Sequence, residues 1–398
     1  MSHKLIDLNE DLQKLRYDGY NVDVYGGNLI IRDIPYVTEK REVRRDGVFV
    51  TALNLNGEIL NPPNQPGQHT IKFAGEYPCD VNGVPIAAIK NNEEVVQITS
   101  ALKTRFTFSA KPKAGFYASY YEKVKTYDGI LSGPATVLDA DATARTYAVV
   151  EPEDDDSPFQ YIDTASARAD IGMISRKLAV DKVAIVGLGG TGSYVLDLLT
   201  KTPTKEIHIF DGDKFSSHNA FRAPGAASKD DLHKQQLKVD YFREIYSRIH
   251  KGVISHPEYV NETNVSQLRG MACVFLCVDT GSAKKFIVDK LDEFGALFID
   301  VGMGLYAKNE KLGGIMQVVT SAPENRQEAR SKISFSEDDE ANLYEKNIQV
   351  ADLNALNAVL AVIRWKKIRN FYFDTKKENY STYTIGGNLL TNDTDDQD

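Results

Sequence analysis

Three cysteines in 398 residues, Cys79, Cys273 and Cys277, are too few for a disulfide framework, and no Cys-x-x-Cys pair is present to seed a zinc knuckle. Dense runs of lysine and arginine are also missing. With a formal net charge of -9, the chain lacks the basic face that neutralising duplex phosphates requires. Nucleic acid is thereby excluded as the main partner, while a local basic pocket for a triphosphate is not. Nowhere do about 18 apolar residues follow one another, and the opening MSHKLIDLNEDLQ has neither the basic nor the apolar part of a signal peptide. The expectation is a soluble, cytoplasmic protein with no membrane partner.

What is present is a globular composition, 42% apolar with twenty tyrosines and seventeen phenylalanines. A chain of this length exceeds one ordinary core, and two domains are expected. Across 1–150, short runs such as NVDVY, NLIIRDI, GVFVTALNL, HTIKFAG and FTFSA alternate with Gly, Pro and Asn breakers, so the region reads as a β-rich α+β domain. A helix opens it. Another closes it from near Gly115, with Tyr117, Tyr120, Tyr121, Val124, Tyr127, Ile130 and Leu131 at helical spacing as core and rim residues. The acidic EPEDDDSP begins a linker over 151–162.

From 163 to 390 strands alternate with helices. A helical segment near 163–179 leads into KVAIVG, a helix to about 201, EIHIF, a long helix near 229–250, VISHPEYV, ACVFLCV, a helix near 282–294 and ALFIDVG. That alternation is the signature of an α/β, doubly wound and largely parallel sheet. IMQVV reads as a further strand and 324–350 as a polar loop or lid. ADLNALNAVLAVIRWKKIR reads as a helix burying Leu353, Leu356, Val359, Leu360 and Ile363, and 391–398 as a disordered acidic tail.

The chemistry concentrates where KVAIVG runs into GLGGTGS, residues 187–193. A buried strand that turns through glycines into a helix directs backbone N–H groups and a helix N-terminus at one point, a natural place for phosphate oxygens. Glycine allows the backbone to approach a ligand and to take a positive φ. By itself the loop also satisfies a dinucleotide fingerprint, and Asp211, about 20 residues beyond the last glycine, is where a ribose-binding carboxylate belongs in either case. The segment after it, DGDKFSSHNAFRAPGA, adds a second acid, an asparagine and an arginine that nicotinamide binding does not need.

These elements resemble the ThiF/MoeB/ubiquitin-activating (E1-like) superfamily. Gly187, Gly189, Gly190, Gly192 and Ser193 match its loop, Asp211 and Asp213 its acid pair, and Asn219 and Arg222 its NxxR. Lys238 is the best match to its lysine, with Lys234 close by, and Asp279 matches its strand-terminal aspartate. The resemblance implies a Rossmann-like sheet and ATP-dependent adenylation of the C-terminal carboxylate of a ubiquitin-like protein or peptide, giving an acyl adenylate and pyrophosphate. Asp211 would accept from ribose hydroxyls, Arg222 and Lys238 would balance phosphate charge, and Asn219 would bond phosphate or ribose. Asp279 would hold Mg²⁺, a hard cation that prefers oxygen. The resemblance also implies a homodimer in which Arg168, or else Arg176, reaches the partner's site. Its extra N-terminal domain would recruit the substrate or an acceptor.

A nicotinamide-dependent oxidoreductase and a non-catalytic nucleotide-binding scaffold are the alternatives. Cys273 and Cys277 read as inert core thiols. Cys79, in a loop with His69 and Glu76 near in sequence, reads as a bystander with an exposed nucleophile as the rival reading. From Thr280 onward there is no cysteine, which favours a reaction that stops at the adenylate.

Overall fold

A computed structural model describes residues 5–6, 8–57, 59–148, 157–161, 163, 165, 171–335 and 348–393. They divide into two compact units, the first holding the residues up to 148 with 161, 163 and 165, and the second 157–160 with the residues from 171 onward.

The first unit opens with helix α1 (Glu10–Tyr17) and strands β1 (Asn21–Tyr25), β2 (Asn28–Val37) and β3 (Val43–Ala52). A small ribbon of β4 (Asn54–Asn56) and β5 (Ile59–Asn61) precedes β6 (Thr70–Ala74), β7 (Lys90–Gln97) and β8 (Lys103–Ser109). The large sheet is antiparallel in the order β1-β2-β3-β6-β8-β7. Helix α2 (Tyr120–Leu138) packs on it. This helix starts later than Gly115 because the cap is local: Ser119 Oγ accepts from the Glu122 N–H at 3.0 Å, and the Glu122 carboxylate accepts from the Ala118 N–H at 2.8 Å. Its buried face carries Tyr120, Val124, Tyr127 and Leu131, which meet Phe49, Phe73 and Phe108 of the sheet in one apolar cluster. Each such side chain taken from water contributes about 1.5–3 kcal/mol.

Cys79 is not exposed. It bridges to Val37 and Pro85, is 1% exposed, and its Sγ faces the Tyr77 carbonyl at 3.5 Å. Burial pushes the thiol up, and the carboxylates of Glu39, Asp80 and Glu76 push the same way, so the nucleophile reading gives way to a structural one.

In the second unit, helix α3 (Gly172–Ser175) and a 3₁₀ turn lead to β9 (Lys182–Val186), α4 (Gly190–Leu199) and β10 (Glu206–Phe210). Then come α5 (Ser217–Ala220), α6 (Lys229–Lys234), α7 (Lys238–Tyr246), β11 (Val253–His256), β12 (Val274–Leu276) and α8 (Gly281–Phe294). Strands β13 (Phe298–Lys308) and β14 (Lys311–Ser321), helices α9 (Arg326–Lys332) and α10 (Ala351–Ile368), and strands β15 (Tyr380–Thr384) and β16 (Leu389–Asp393) complete it. The eight-stranded sheet runs β11-β10-β9-β12-β13-β14-β15-β16. Its first five strands are parallel and the remainder antiparallel, so the doubly wound core carries an antiparallel extension. The order reverses between β9 and β12, which opens the crevice at their carboxyl ends.

Four expectations change. The long helix near 229–250 is two helices, because Gln235 takes a left-handed φ of 48° and Leu237 then bridges to Lys214. Residues 391–393 complete β16 and are not tail; 394–398 lie outside the described residues. Within the proposed linker, Ser157–Gln160 join the second unit, where Phe159 bridges to His250 and the Lys251 N–H donates to the Pro158 carbonyl at 2.7 Å. The polar 324–350 segment contains α9, and 336–347 lie outside the described residues.

Helix α10 also turns a different face inward. Asn354, Asn357, Ala358, Ala361, Val362, Arg364 and Trp365 are buried, while Leu353, Leu356, Leu360 and Ile363 are half-buried and Val359 is exposed.

Among the described residues, the first unit hides a lysine without a counterion. Lys123 is fully buried, its ammonium donating to Thr51 Oγ1 and the Gln68 carbonyl, both at 2.6 Å, and burial pushes it down from 10.5 to about 7. Between these values the unfolded chain binds the extra proton, so stability rises with pH. Groups pushed up by burial oppose the trend at higher pH, Cys79 from about 9 and Tyr20 and Tyr127 above about 10, where the unfolded thiol and phenols ionise. Hydrogen exchange of the β2 and β3 amides in the full chain should therefore show greater protection at pH 9 than at pH 7 after correction for the intrinsic rate. Lys123→Met should remove that gain, and an equal gain in the variant would assign it to other groups.

Candidate active site

The site is built on the loop between β9 and α4. Gly187 has φ 91°, and an added Cβ would stand 2.6 Å from the Cys277 carbonyl oxygen on the neighbouring strand, so only glycine makes this turn. Its N–H donates to the Phe210 carbonyl at 2.8 Å, while an added Cβ on Gly189 would meet open space. Gly190 and Gly192 are close-approach positions. A Cβ on the first would lie 2.0 Å from Asn354 Nδ2, and on the second 1.9 Å from the Gly187 carbonyl oxygen. Ser193 is fully buried and donates its hydroxyl to the Gly190 carbonyl at 2.7 Å, beneath the loop and turned from its surface. The first-turn N–H groups of α4 have no intrahelical partners and look out of the carboxyl edge of the sheet.

Asp211 follows β10 and holds the loop in place. It is 6% exposed; Oδ2 accepts from the Leu188 N–H at 2.7 Å and Oδ1 from the Asp213 N–H at 2.8 Å. Lys238, buried at the start of α7, reaches Asp213 Oδ2 at 2.6 Å and Asp211 Oδ2 at 3.4 Å. The break at Gln235 makes this possible by letting the Lys238 N–H donate to the Asp213 carbonyl at 2.8 Å. Lys234 instead pairs on the surface with Asp231 and Glu244. Asp213 also accepts from the Tyr259 hydroxyl. Partial burial raises the Asp213 carboxyl, but its bonds to Lys238 and Tyr259 outweigh this and hold it below the usual carboxylate range. The Lys238 ammonium thus faces two carboxylates, where simple phosphate balance had been expected.

Asn219 and Arg222 stand opposite in character. The Asn219 amide is buried; Oδ1 accepts from the Ser216 N–H at 2.9 Å, and among the described residues Nδ2 has no partner. Half-buried Arg222 likewise leaves Nε without one. Buried donors without acceptors are costly, about 1–3 kcal/mol each, and these two stand one turn apart. Asn354, invisible to the sequence reading, ties this corner to the loop. Its Nδ2 donates to the Arg222 carbonyl at 3.4 Å and its Oδ1 accepts from Thr191 Oγ1 at 3.1 Å. The available signal was its recurrence with Asn357, two polar residues three apart in an apolar helix.

Asp279 is exposed three residues beyond β12, just ahead of α8. Behind it the first turn of α8 is anchored by a buried ion pair, Lys284 Nζ to Asp300 Oδ1 at 3.0 Å, with burial pushing the Asp300 carboxyl up. Among the described residues no three His, Cys, Asp or Glu side chains gather as a metal site. A divalent ion would therefore rest on Asp279 and on the ligand's own oxygens, the arrangement that suits Mg²⁺. Arg168 lies outside the described residues, and Arg176 is exposed in the 3₁₀ turn Arg176–Leu178.

A family model described as the ThiF family matches residues 166–393. This chain belongs to the ThiF family. A second model, described as a domain of unknown function (DUF6791), matches residues 10–164. Among curated proteins, mouse ubiquitin-like modifier-activating enzyme 5 is 23% identical over 215 residues, 50% of this chain and 52% of that enzyme. The ThiF chain therefore spans about half the length of that relative. Among solved structures, Escherichia coli MccB with ATP is 19% identical with a TM-score of 0.44, covering 56% of this chain and 66% of that one. PaaA is 16% identical with a TM-score of 0.43, over the same shares.

The contact of Gly190 with Asn354 gives a direct test of the loop in this ThiF protein. Gly190→Ala should cost about 1–3 kcal/mol by overpacking, read as a lowered thermal midpoint of the second unit. Gly190→Ala combined with Asn354→Ala should recover part of the loss because the clashing amide is gone. A double variant no better than the sum of its single changes would dismiss the contact.

Proposed function

We propose that the second unit activates a carboxylate with ATP, and that the substrate is the C-terminus of a ubiquitin-like protein or a peptide. Membership of the ThiF family supports adenylation chemistry in general. The observation that carries the reading here is the pair of unpartnered donors, Asn219 Nδ2 and Arg222 Nε, beside a glycine loop whose backbone is held open by Asp211. The pyrophosphate of a nicotinamide dinucleotide accepts from the same donors, so ATP against NAD binding separates the two readings.

A substrate carboxylate oxygen bonds to the α-phosphorus as the bond from that phosphorus to the bridging β-oxygen breaks, and pyrophosphate leaves. The α4 N–H groups and Asn219 Nδ2 donate to phosphate oxygens, and Arg222 neutralises the charge that builds on them. Asp211, its carboxylate already oriented by Leu188, Lys238 and Asp213, retains one lone-pair site on Oδ1 for a ribose hydroxyl. Lys238 acts mainly by holding Asp211 and Asp213 together. Asp279 would hold Mg²⁺, which supplies charge neutralisation at the leaving pyrophosphate.

Cys273 and Cys277 have thiols pushed far up by burial, and neither suits attack on an adenylate. The adenylate is therefore handed on to another molecule. The first unit, in this reading, recruits the substrate or the acceptor.

Isotope exchange of pyrophosphate into ATP should appear when a carboxylate substrate is supplied and disappear in Asp279→Ala. Products of the same reaction, separated with and without reductant, should show no reductant-sensitive adduct with the enzyme. Unchanged exchange in a folded Asp279→Ala variant would remove the metal assignment. Binding of NAD without ATP would turn the site into that of an oxidoreductase, and ATP binding without exchange for any carboxylate would leave a scaffold.

Family resemblance supports a homodimer, with Arg168 offered to the partner's site and Arg176 as the second choice. Mixing Arg168→Ala and Asp279→Ala proteins should then restore exchange that neither shows alone. A monomer by light scattering that retains full activity would sink the dimer.

A further inference from the structure

Tyr259, three residues past β11, is 61% exposed and yet fixed in place. Its hydroxyl donates to Asp213 Oδ1, the contact that chiefly pushes the phenol up to about 12. Its carbonyl accepts from Asn264 Nδ2 at 2.9 Å and Asn261 Nδ2 at 3.1 Å, and Asn264, itself buried, accepts from the Asn261 N–H at 2.8 Å. Both ends of the residue are thus tied down. The ring rests on Gly212, where an added Cβ would come within 2.7 Å of Cε2. Any other residue at 212 would lift the ring away, so glycine here serves a close approach.

An exposed aromatic is ordinary, but one ordered at both ends with a face left to solvent has given up entropy without burying area. A flat ligand would recover that cost. Gly212 directly follows Asp211, the carboxylate assigned above to the ribose, and a nucleobase joined to the same ribose falls within a few ångströms of it. The loops after β10 and β11 stand side by side at the carboxyl edge of the sheet, on the β11 side of the glycine loop. We propose that Tyr259 is the platform on which the nucleobase of ATP stacks, with Asp213 and Gly212 setting its height and tilt. The proposal rests on the ATP reading of the site. It also gives Asp213 a task distinct from that of Asp211: one acid orients the ribose and the other the surface under the base.

Calorimetric titration of the full chain with MgATP tests it in wild type, Tyr259→Phe, Tyr259→Leu and Tyr259→Ala. Stacking on one aromatic accounts for roughly 5- to 100-fold in affinity. The Leu and Ala variants should fall by that factor, and the Phe variant, which keeps the ring and loses only its tie to Asp213, should fall by less. All four should share one thermal midpoint because the side chain is mostly exposed. Equal affinity across the series overturns the platform while leaving the ATP site standing. So does a Phe variant as weak as the Ala variant, since the hydroxyl tether would then be what matters. Wild type that binds no MgATP overturns both the platform and the adenylation reading.

Discussion

The carboxylate of Asp211 is the constraint on which the second unit's site depends. It reaches back across the first crossover to the Leu188 N–H, forward to the Asp213 N–H, and sideways to the Lys238 ammonium. Strand β9, its glycine loop, strand β10 and helix α7 are thereby referred to one buried group. A carboxylate so little exposed is stable only because every nearby donor is aimed at it, and removing one donor would leave a buried charge without compensation. The same geometry makes the site polar and rigid before any ligand arrives, which is what electrostatic preorganisation requires.

Around this anchored corner the polarity is deliberately incomplete. Asn219 and Arg222 keep donors without partners, and Asn354 spends its amide on supporting them and the start of α4. The buried pair of Lys284 with Asp300 does the corresponding work for the loop that carries Asp279. The site is thus a set of fixed donors and one exposed carboxylate mounted on the carboxyl edge of parallel strands, with the glycine loop as its floor. The first unit is organised differently: an aromatic layer between α2 and an antiparallel sheet, with Lys123 satisfied by a hydroxyl and a carbonyl and by no opposite charge.

Much of this was legible in the residues. KVAIVG, EIHIF and ACVFLCV became buried parallel strands because uninterrupted apolar runs suit positions covered on both faces. The loop glycines, Asp211, Asn219, Arg222 and Asp279 were singled out by their match, in order, to a family pattern, and their roles at the crevice belong to the proposed function. The inward face of α10 was not legible. Periodicity placed Leu353, Leu356, Val359, Leu360 and Ile363 inside, yet Asn354 and Asn357 are buried instead. Apolar patterning reports which residues avoid water and is silent on buried amides, whose burial is made affordable only by partners far away in the chain, such as Arg222 and Gly302.

Local chemistry in the chain determined most element types and the strand-to-helix turn at Gly187, since these follow from nearest-neighbour periodicity and backbone sterics, whereas the acids and bases were singled out by resemblance to a family pattern. Which charges neutralise one another was decided only on folding. Lys238 and Lys234 are four residues apart on what reads as one helix, and the left-handed turn at Gln235 sends the first into the site and the second to the surface. Cys79 read as a loop residue and Tyr259 as part of the VISHPEYV strand, but pairing with Val37 buries the first, and the strand stops at His256 and leaves the second displayed on its bond to Asp213. Burial and ion pairing are properties of contacts between distant segments, and no local pattern encodes them.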